Sequence, residues 1–192
     1  SHAACVGDPL PKDQTRALMA ARINCLLKAH SGIRPEPIRL LAECLNRDIV
    51  PVVPSQGSVG ASGDLAPLAH MALLLVGEGL AWSGERQVDS AEALAQAGLK
   101  PVTLQAKEGL ALINGTQLIT SLGNLAVEKF TRLAALADEI AALSLEALRG
   151  TRAAFDPRIH AARPHPGQVA VAARMREILG TTSAIADSHQ DC

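Results

Sequence analysis

No tyrosine occurs anywhere in the 192 residues, and aromatic side chains of all kinds make up only 2% of them. A supply that thin argues against a β-sandwich core. With 48% hydrophobic content carried mostly by Leu and Ala, close helix-on-helix packing fits better. Charge excess is missing too: 18 basic residues stand against 19 acidic ones, a net charge of -1, which leaves no footprint for nucleic acid or an anionic membrane. The four cysteines, at 5, 25, 44 and 192, show no two-residue spacing of a zinc or redox site. A reduced, cytoplasmic setting is the expectation. The first residues lack a secretory pattern, and the richest apolar run, Leu65 to Val76, falls short of the ~20 residues that a bilayer crossing needs. Neither a nucleic-acid nor a membrane partner is expected. His160, His165 and His189 match no ligand spacing, so they read as solvated loop histidines and no metal is expected.

What the chain does have is a concentrated stretch, Gly57-Ser58-Val59-Gly60-Ala61-Ser62-Gly63-Asp64-Leu65. Three glycines, then an acidic residue and an apolar run, describe a coiled loop feeding a helix, with Asp64 at the N-cap and Pro67 tolerated in the first turn. One reading is a structural loop whose glycines take positive φ. A second, an anion cradle at a helix N-terminus, is weak. No Lys-Ser/Thr follows the last glycine, and Asp64 sets negative charge where a phosphate would sit. A third uses the chemistry of Ala61-Ser62-Gly63: with the Gly63 nitrogen pressed on the Ala61 carbonyl carbon, the backbone can cyclise and lose two waters. The product is an electrophilic imidazolone, and only glycine permits the approach at position 63.

Gly57 to His70, GSVGASGDLAPLAH, resembles the signature of the histidine and phenylalanine ammonia-lyase family. Lys107 to Thr116, KEGLALINGT, resembles that family's second hallmark. The resemblance implies a mainly α, bundle-type ammonia-lyase fold with a glycine-rich loop and minor short strands, here a fragment of a larger all-α enzyme. Residues 1–113 would hold the loop region and 114–192 the start of the central helical bundle. It also implies the prosthetic group 4-methylideneimidazole-5-one (MIO), formed autocatalytically from Ala61, Ser62 and Gly63. Asp64 and Asn114 join these three as catalytic residues, and His2, Leu65 and Asn114 contact substrate. In such enzymes tyrosines move protons and three subunits of a homotetramer build each site, so these residues alone are expected to be inactive.

The opening Ser1-His2-Ala3-Ala4-Cys5-Val6-Gly7 lines the pocket in that family, and a Ser-His pair resembles its histidine-selective members. The implied reaction is elimination of ammonia from L-histidine to trans-urocanate. A cleaved affinity tag also leaves Ser-His, but Ala3-Ala4-x-Val6-Gly7 continues the family pattern. Cys5 stands where the family usually has glycine. The alternatives are a phenylalanine or tyrosine lyase or an aminomutase using the same electrophile, or a non-catalytic helical scaffold with an uncyclised loop.

Elsewhere the periodicity predicts a helix over 13–30 ended by Ser31-Gly32, with Ala17, Leu18, Ala21, Ile23, Leu26 and Leu27 forming an apolar stripe at helical spacing. A second opens at Pro35 and Pro37, with Ile38, Leu41, Ala42 and Leu45 inward. Ile49 to Val53 reads as at most an edge strand or an extended lead into the loop, and residues 81–88 as a surface hairpin. Asp89 or Ser90 caps a short helix. Lys107 and Glu108 read as a solvated pair without a role. Residues 117–149 predict one rod of about 50 Å, ended by Gly150 and built to pack in a bundle, followed by a short helix near 168–179.

Overall fold

The structure, a computed structural model, describes residues 2–180. The chain is mainly helical and divides into two compact units between Ala126 and Val127. In the first unit β1 (Val6–Pro9) leads to α1 (Lys12–Leu26) and α2 (Pro35–Asn46). Then come β2 (Val50–Pro51), β3 (Pro54–Gln56) and α3 (Leu65–Leu75). The hairpin β4 (Leu80–Ser83) and β5 (Arg86–Asp89) precedes α4 (Ser90–Gln96) and α5 (Glu108–Ile113). Helix α6 (Gln117–Ala147) runs across the division.

The core of this unit explains where its polar surprises sit. Leu18 and Met19 of α1, Leu41 of α2 and Leu68, Met71, Leu74 and Leu75 of α3 are fully buried, so α3, apolar on most sides, is the central element. Its tail packs near β2, an edge strand as expected, which pairs antiparallel with β4 in the order β2-β4-β5. The hairpin is more than a surface excursion, because Ala81 is fully buried within it. A second pair, β1 with β3, holds Val6 opposite Gln56. It draws the N-terminal segment alongside the entry to the glycine loop.

Helix α1 stops at Leu26, short of the glycine at 32. The Lys28 and Ala29 amides bond back to the carbonyls of Cys25 and Leu26, and Ala29 itself takes the left-handed conformation at φ 61. Leu27, the C-cap residue, is exposed, while Arg22 is sealed in at 2% exposure. Glu108 corrects the solvated-pair reading. It is 2% exposed, its carboxylate accepting Arg34 Nε at 2.7 Å, Arg34 Nη2 at 2.9 Å and the Gln105 N–H at 2.7 Å. Lys107 takes φ 70 at the start of α5.

The second unit contains most of α6, a 3-10 turn (Arg152–Phe155), α7 (Pro157–Ala161) and α8 (Pro166–Gly180). Asp156 opens α7 by accepting the Arg158 N–H at 2.8 Å. A small cluster of Ala142, Met175 and Leu179 joins α6 to α8. His160 is buried, its Nε2 3.2 Å from the Ala154 carbonyl, which corrects the expectation of a solvated histidine there. His189 lies outside the described residues. The left-handed residue after α6 is Arg149, one position before the expected Gly150.

Along α6 the periodic residues are exposed: Phe130 is 71% and Leu133 63% exposed, and Leu136, Ile140 and Leu143 continue the face. The stretch Glu108–Ala147 meets the length and composition of a bilayer crossing. Glu128, Lys129, Arg132, Asp138 and Glu139 stand along its middle, however, and each is costly in hydrocarbon. An unpartnered apolar face on a charged helix is what bundle packing against other protein requires.

Candidate active site

The loop between β3 and α3 is displayed and anchored at the same time. Ala61 and Ser62 are exposed, whereas the next two residues, Gly63 and Asp64, are buried. Gly63 has φ +118, and a Cβ built on it would lie 2.7 Å from the Gly115 carbonyl oxygen. Only glycine satisfies both the dihedral and the space. The neighbouring Asp64 N–H donates to that same Gly115 oxygen at 2.7 Å. Sequence blocks about fifty residues apart thus meet at one backbone contact.

Asp64 occupies the N-cap position of α3 without a side-chain bond to that helix. Its Oδ1 instead accepts the Ser58 hydroxyl at 2.6 Å, and its Oδ2 accepts the Ile119 N–H of α6 at 3.0 Å. The carboxylate ties the beginning of the loop to its end and satisfies an orphan amide in the first turn of α6. Ser62 has no part in this arrangement and remains at the surface.

Asn114 follows α5 at its C-cap and is exposed. Its backbone carbonyl accepts Arg22 Nη2 at 3.0 Å; the same Nη2 also donates to the Ala111 carbonyl, and Nη1 donates to Gln117 Oε1 at 2.6 Å. Burial lowers the Arg22 pKa from its usual value. The charge faces carbonyls at the C-terminal end of α5, where the helix dipole favours a cation. Leu65, the first residue of α3, is half-buried against the core.

His2 is exposed and lines a cleft of about 350 Å³ with Ala69, Leu73, Leu110 and Ile113 from α3 and α5. Asn114 lines a different, smaller cleft with Arg22 and Lys107. The structure brings Gly63, Asp64 and the 114–117 turn together, and leaves His2 on a separate apolar surface. Ser1 lies outside the described residues. Cys5 fits where a glycine was expected because Gly57 faces it: a Cβ at Gly57 would overlap the Cys5 thiol. The Cys5 N–H donates to His70 Nε2 at 3.2 Å, and burial lowers the His70 pKa, so the ring accepts in its neutral form.

Four participants escaped the sequence reading: Ser58, Arg22, Glu108 and Arg34. Arg22 sits in the middle of an apolar stripe, and that position was the available signal. Glu108 opens α5 inside the second motif, and Arg34 holds it well below the ordinary carboxylate range, at about 2. This pair fastens the front of α5 to the start of α2. Cys44, buried in the core, has its thiol pushed up to about 12 by burial and is unreactive.

The family model described as aromatic amino acid lyase matches residues 1–192. Histidine ammonia-lyase of Koribacter versatilis is 56% identical over the whole chain, which covers 37% of that relative. The human histidine ammonia-lyase is 53% identical, again over the whole chain, with 30% of its own length covered. Among solved structures, histidine ammonia-lyase from Trypanosoma cruzi superposes with a TM-score of 0.90 at 46% identity, over 97% of this chain and 37% of that one. Phenylalanine aminomutase of Pantoea agglomerans reaches the same TM-score at 38% identity, over 96% of this chain and 35% of its own. The chain therefore spans about a third of the length of the relatives it matches. Similarity of this extent, joined to the contact between its two sequence motifs, means that the chain belongs to the aromatic amino acid lyase family.

Proposed function

We propose that this chain supplies the electrophile-bearing loop of an ammonia-lyase that eliminates ammonia from L-histidine to give trans-urocanate. The observation that carries the reading is the junction of Gly63 with Gly115, which fixes one end of an Ala-Ser-Gly tripeptide while leaving Ala61 and Ser62 displayed. The identity to proteins named histidine ammonia-lyase supports histidine as substrate, and His2 is the residue assigned to its imidazole.

The residues present fit MIO. The gap above Gly63 admits no side chain, and cyclisation requires close approach at that nitrogen. The Gly63 nitrogen forms a bond to the Ala61 carbonyl carbon, and the Ala61 oxygen leaves as water with the amide protons of Ser62 and Gly63. The Ser62 hydroxyl leaves as a second water with its own Cα proton. The group supplies an electrophilic methylidene toward the substrate's amine. Asp64, held by Ser58 and Ile119, keeps the loop closed, and the N-terminus of α3 places its dipole beside it. Asn114 is assigned to bind the amino acid or the ring oxygen through its amide. The β-proton goes to a base outside these residues, which contain no tyrosine. The exposed apolar face of α6 supports assembly with further protein, read here as a homotetramer.

Intact mass tests the loop reading: maturation removes two waters, about 36 Da, and Ser62→Ala abolishes the loss. Urocanate formation from L-histidine, with L-phenylalanine and L-tyrosine as competitors, tests the substrate. A mass equal to the unmodified chain in an active enzyme would sink the mechanism.

A further inference from the structure

Arg22 lies on α1, far in sequence from both motifs, yet it is the side chain that shapes the turn between them. Arg22 as a whole is 2% exposed. Nη2 holds the Ala111 and Asn114 carbonyls, and Nη1 holds Gln117 Oε1 at 2.6 Å, while Nε has no acceptor among the described residues. The two terminal nitrogens therefore grip both sides of the turn. At the centre of the turn, a Cβ on Gly115 would overlap Arg22 Nη1 and Gln117 Oε1, so a side chain there would have to displace the two arms of this grip.

The turn that Arg22 grips is the surface on which the tripeptide rests. The Gly115 oxygen accepts the Asp64 N–H at 2.7 Å and lies against Gly63, and three residues into α6 the Ile119 N–H holds the Asp64 carboxylate at 3.0 Å. Displacing the turn would move the Gly63 anchor and the Asp64 anchor together. A planar fork bonding in two directions is needed for this grip, and a lysine ammonium cannot reproduce it.

We infer that Arg22 is a positioning residue for loop cyclisation: by fixing the 114–117 turn, it sets the backbone approach from which Ala61-Ser62-Gly63 loses its two waters. The inference rests on the proposed reading of the loop. Misplacement of reacting groups by about an ångström costs on the order of a hundredfold in rate, so the effect is expected in the rate of maturation well before the fold is lost.

The test follows the intact mass of freshly folded protein over time for the wild type, Arg22→Lys, Arg22→Gln and Met19→Ala, with thermal midpoints measured in parallel. Met19 is fully buried on the same helix and has no bond to the turn, so it reports stability loss alone. Gln117→Ala removes one arm of the grip and covers the case in which the Arg22 variants do not fold. The expected result is maturation slowed about ten- to a hundredfold in Arg22→Lys and Arg22→Gln, an intermediate slowing in Gln117→Ala, and the wild-type rate in Met19→Ala at a comparable fall in midpoint. Equal rates for the Arg22 variants and Met19→Ala would overturn the inference. A wild-type protein that never loses two waters would remove the loop reading itself, a distinguishable failure.

Discussion

The Asp64 carboxylate caps a helix other than its own: Oδ2 accepts the Ile119 backbone N–H at 3.0 Å, in the first turn of α6, while Asp64 itself stands immediately before α3. Two helix starts are thereby fastened through one buried side chain. The glycine loop is held between them.

Replacing Asp64 with Ala leaves the Ser58 hydroxyl and the Ile119 amide without their acceptor. Loss of a cap at a buried site costs about 1–3 kcal/mol, and urea denaturation should show a fall of this size. Asp64→Asn keeps an acceptor oxygen and should fall between Ala and wild type. Equal midpoints for Asp64→Ala and wild type would contradict the capping role.

Gly63→Ala confronts both a φ of +118 and the Gly115 oxygen at 2.7 Å. Backbone strain of this kind costs about 1–3 kcal/mol. The sharper outcome is chemical: the variant is expected to retain the mass of both waters, as read by peptide mapping across Ser55 to His70.

Acid sensitivity should report the Arg34–Glu108 pair. Glu108 is held at about 2, against an ordinary value of 4.5, chiefly by its bond to Arg34. A depressed carboxylate stabilises the fold fully above its unfolded value and loses that contribution as pH falls toward its folded one. Between about pH 4.5 and 2, wild type should therefore lose stability more steeply than Glu108→Gln. Parallel acid limbs in thermal melts would count against the pair.

His70 titrates in the opposite chemical sense with the same direction on pH. Burial lowers it from 6.5, and the Cys5 N–H occupies its Nε2. The neutral ring stabilises the fold above about 6.5, and this support fades as pH falls through the lower folded value. NMR titration should find the His70 midpoint below 6.5, and His70→Phe should remove that part of the pH dependence.

The exposed face of α6 should govern assembly. Leu133, 63% exposed, and Phe130, 71% exposed, lie on it. If the proposed homotetramer forms, Leu133→Asp is expected to shift its sedimentation to smaller species while leaving loop maturation measurable by mass. An unchanged distribution would mean that this face is not an interface.

Much of this was legible in order along the chain. Helix α3 is visible because Leu65 to Leu75 is apolar apart from His70 and follows an acidic cap position, and α6 because its Leu and Ile positions recur at helical spacing. Local pattern failed where a long-range partner decided the outcome. Glu108 looks solvated until Arg34 is placed beside it, Arg22 looks like an interruption of a stripe until the ends of α5 and α6 are brought to it, and His160 looks like a loop residue until the Ala154 carbonyl faces it. Leu27 belongs to the apolar stripe by its spacing, yet it lies exposed at the C-cap of α1, and periodicity alone does not show where a helix ends.

By itself the sequence determined the helical character, the Ala61-Ser62-Gly63 tripeptide in its glycine-rich loop, and membership of a family carried by two motifs, since these depend on residue type and short spacing. Only the tertiary structure decided that the motifs meet through Gly63 and Gly115, that Asp64 caps α6, and that Arg22 grips the turn between them. Those pairings are closed by backbone geometry and by the burial of charges whose partners lie dozens of residues away, and neither quantity is written into any local window of the chain.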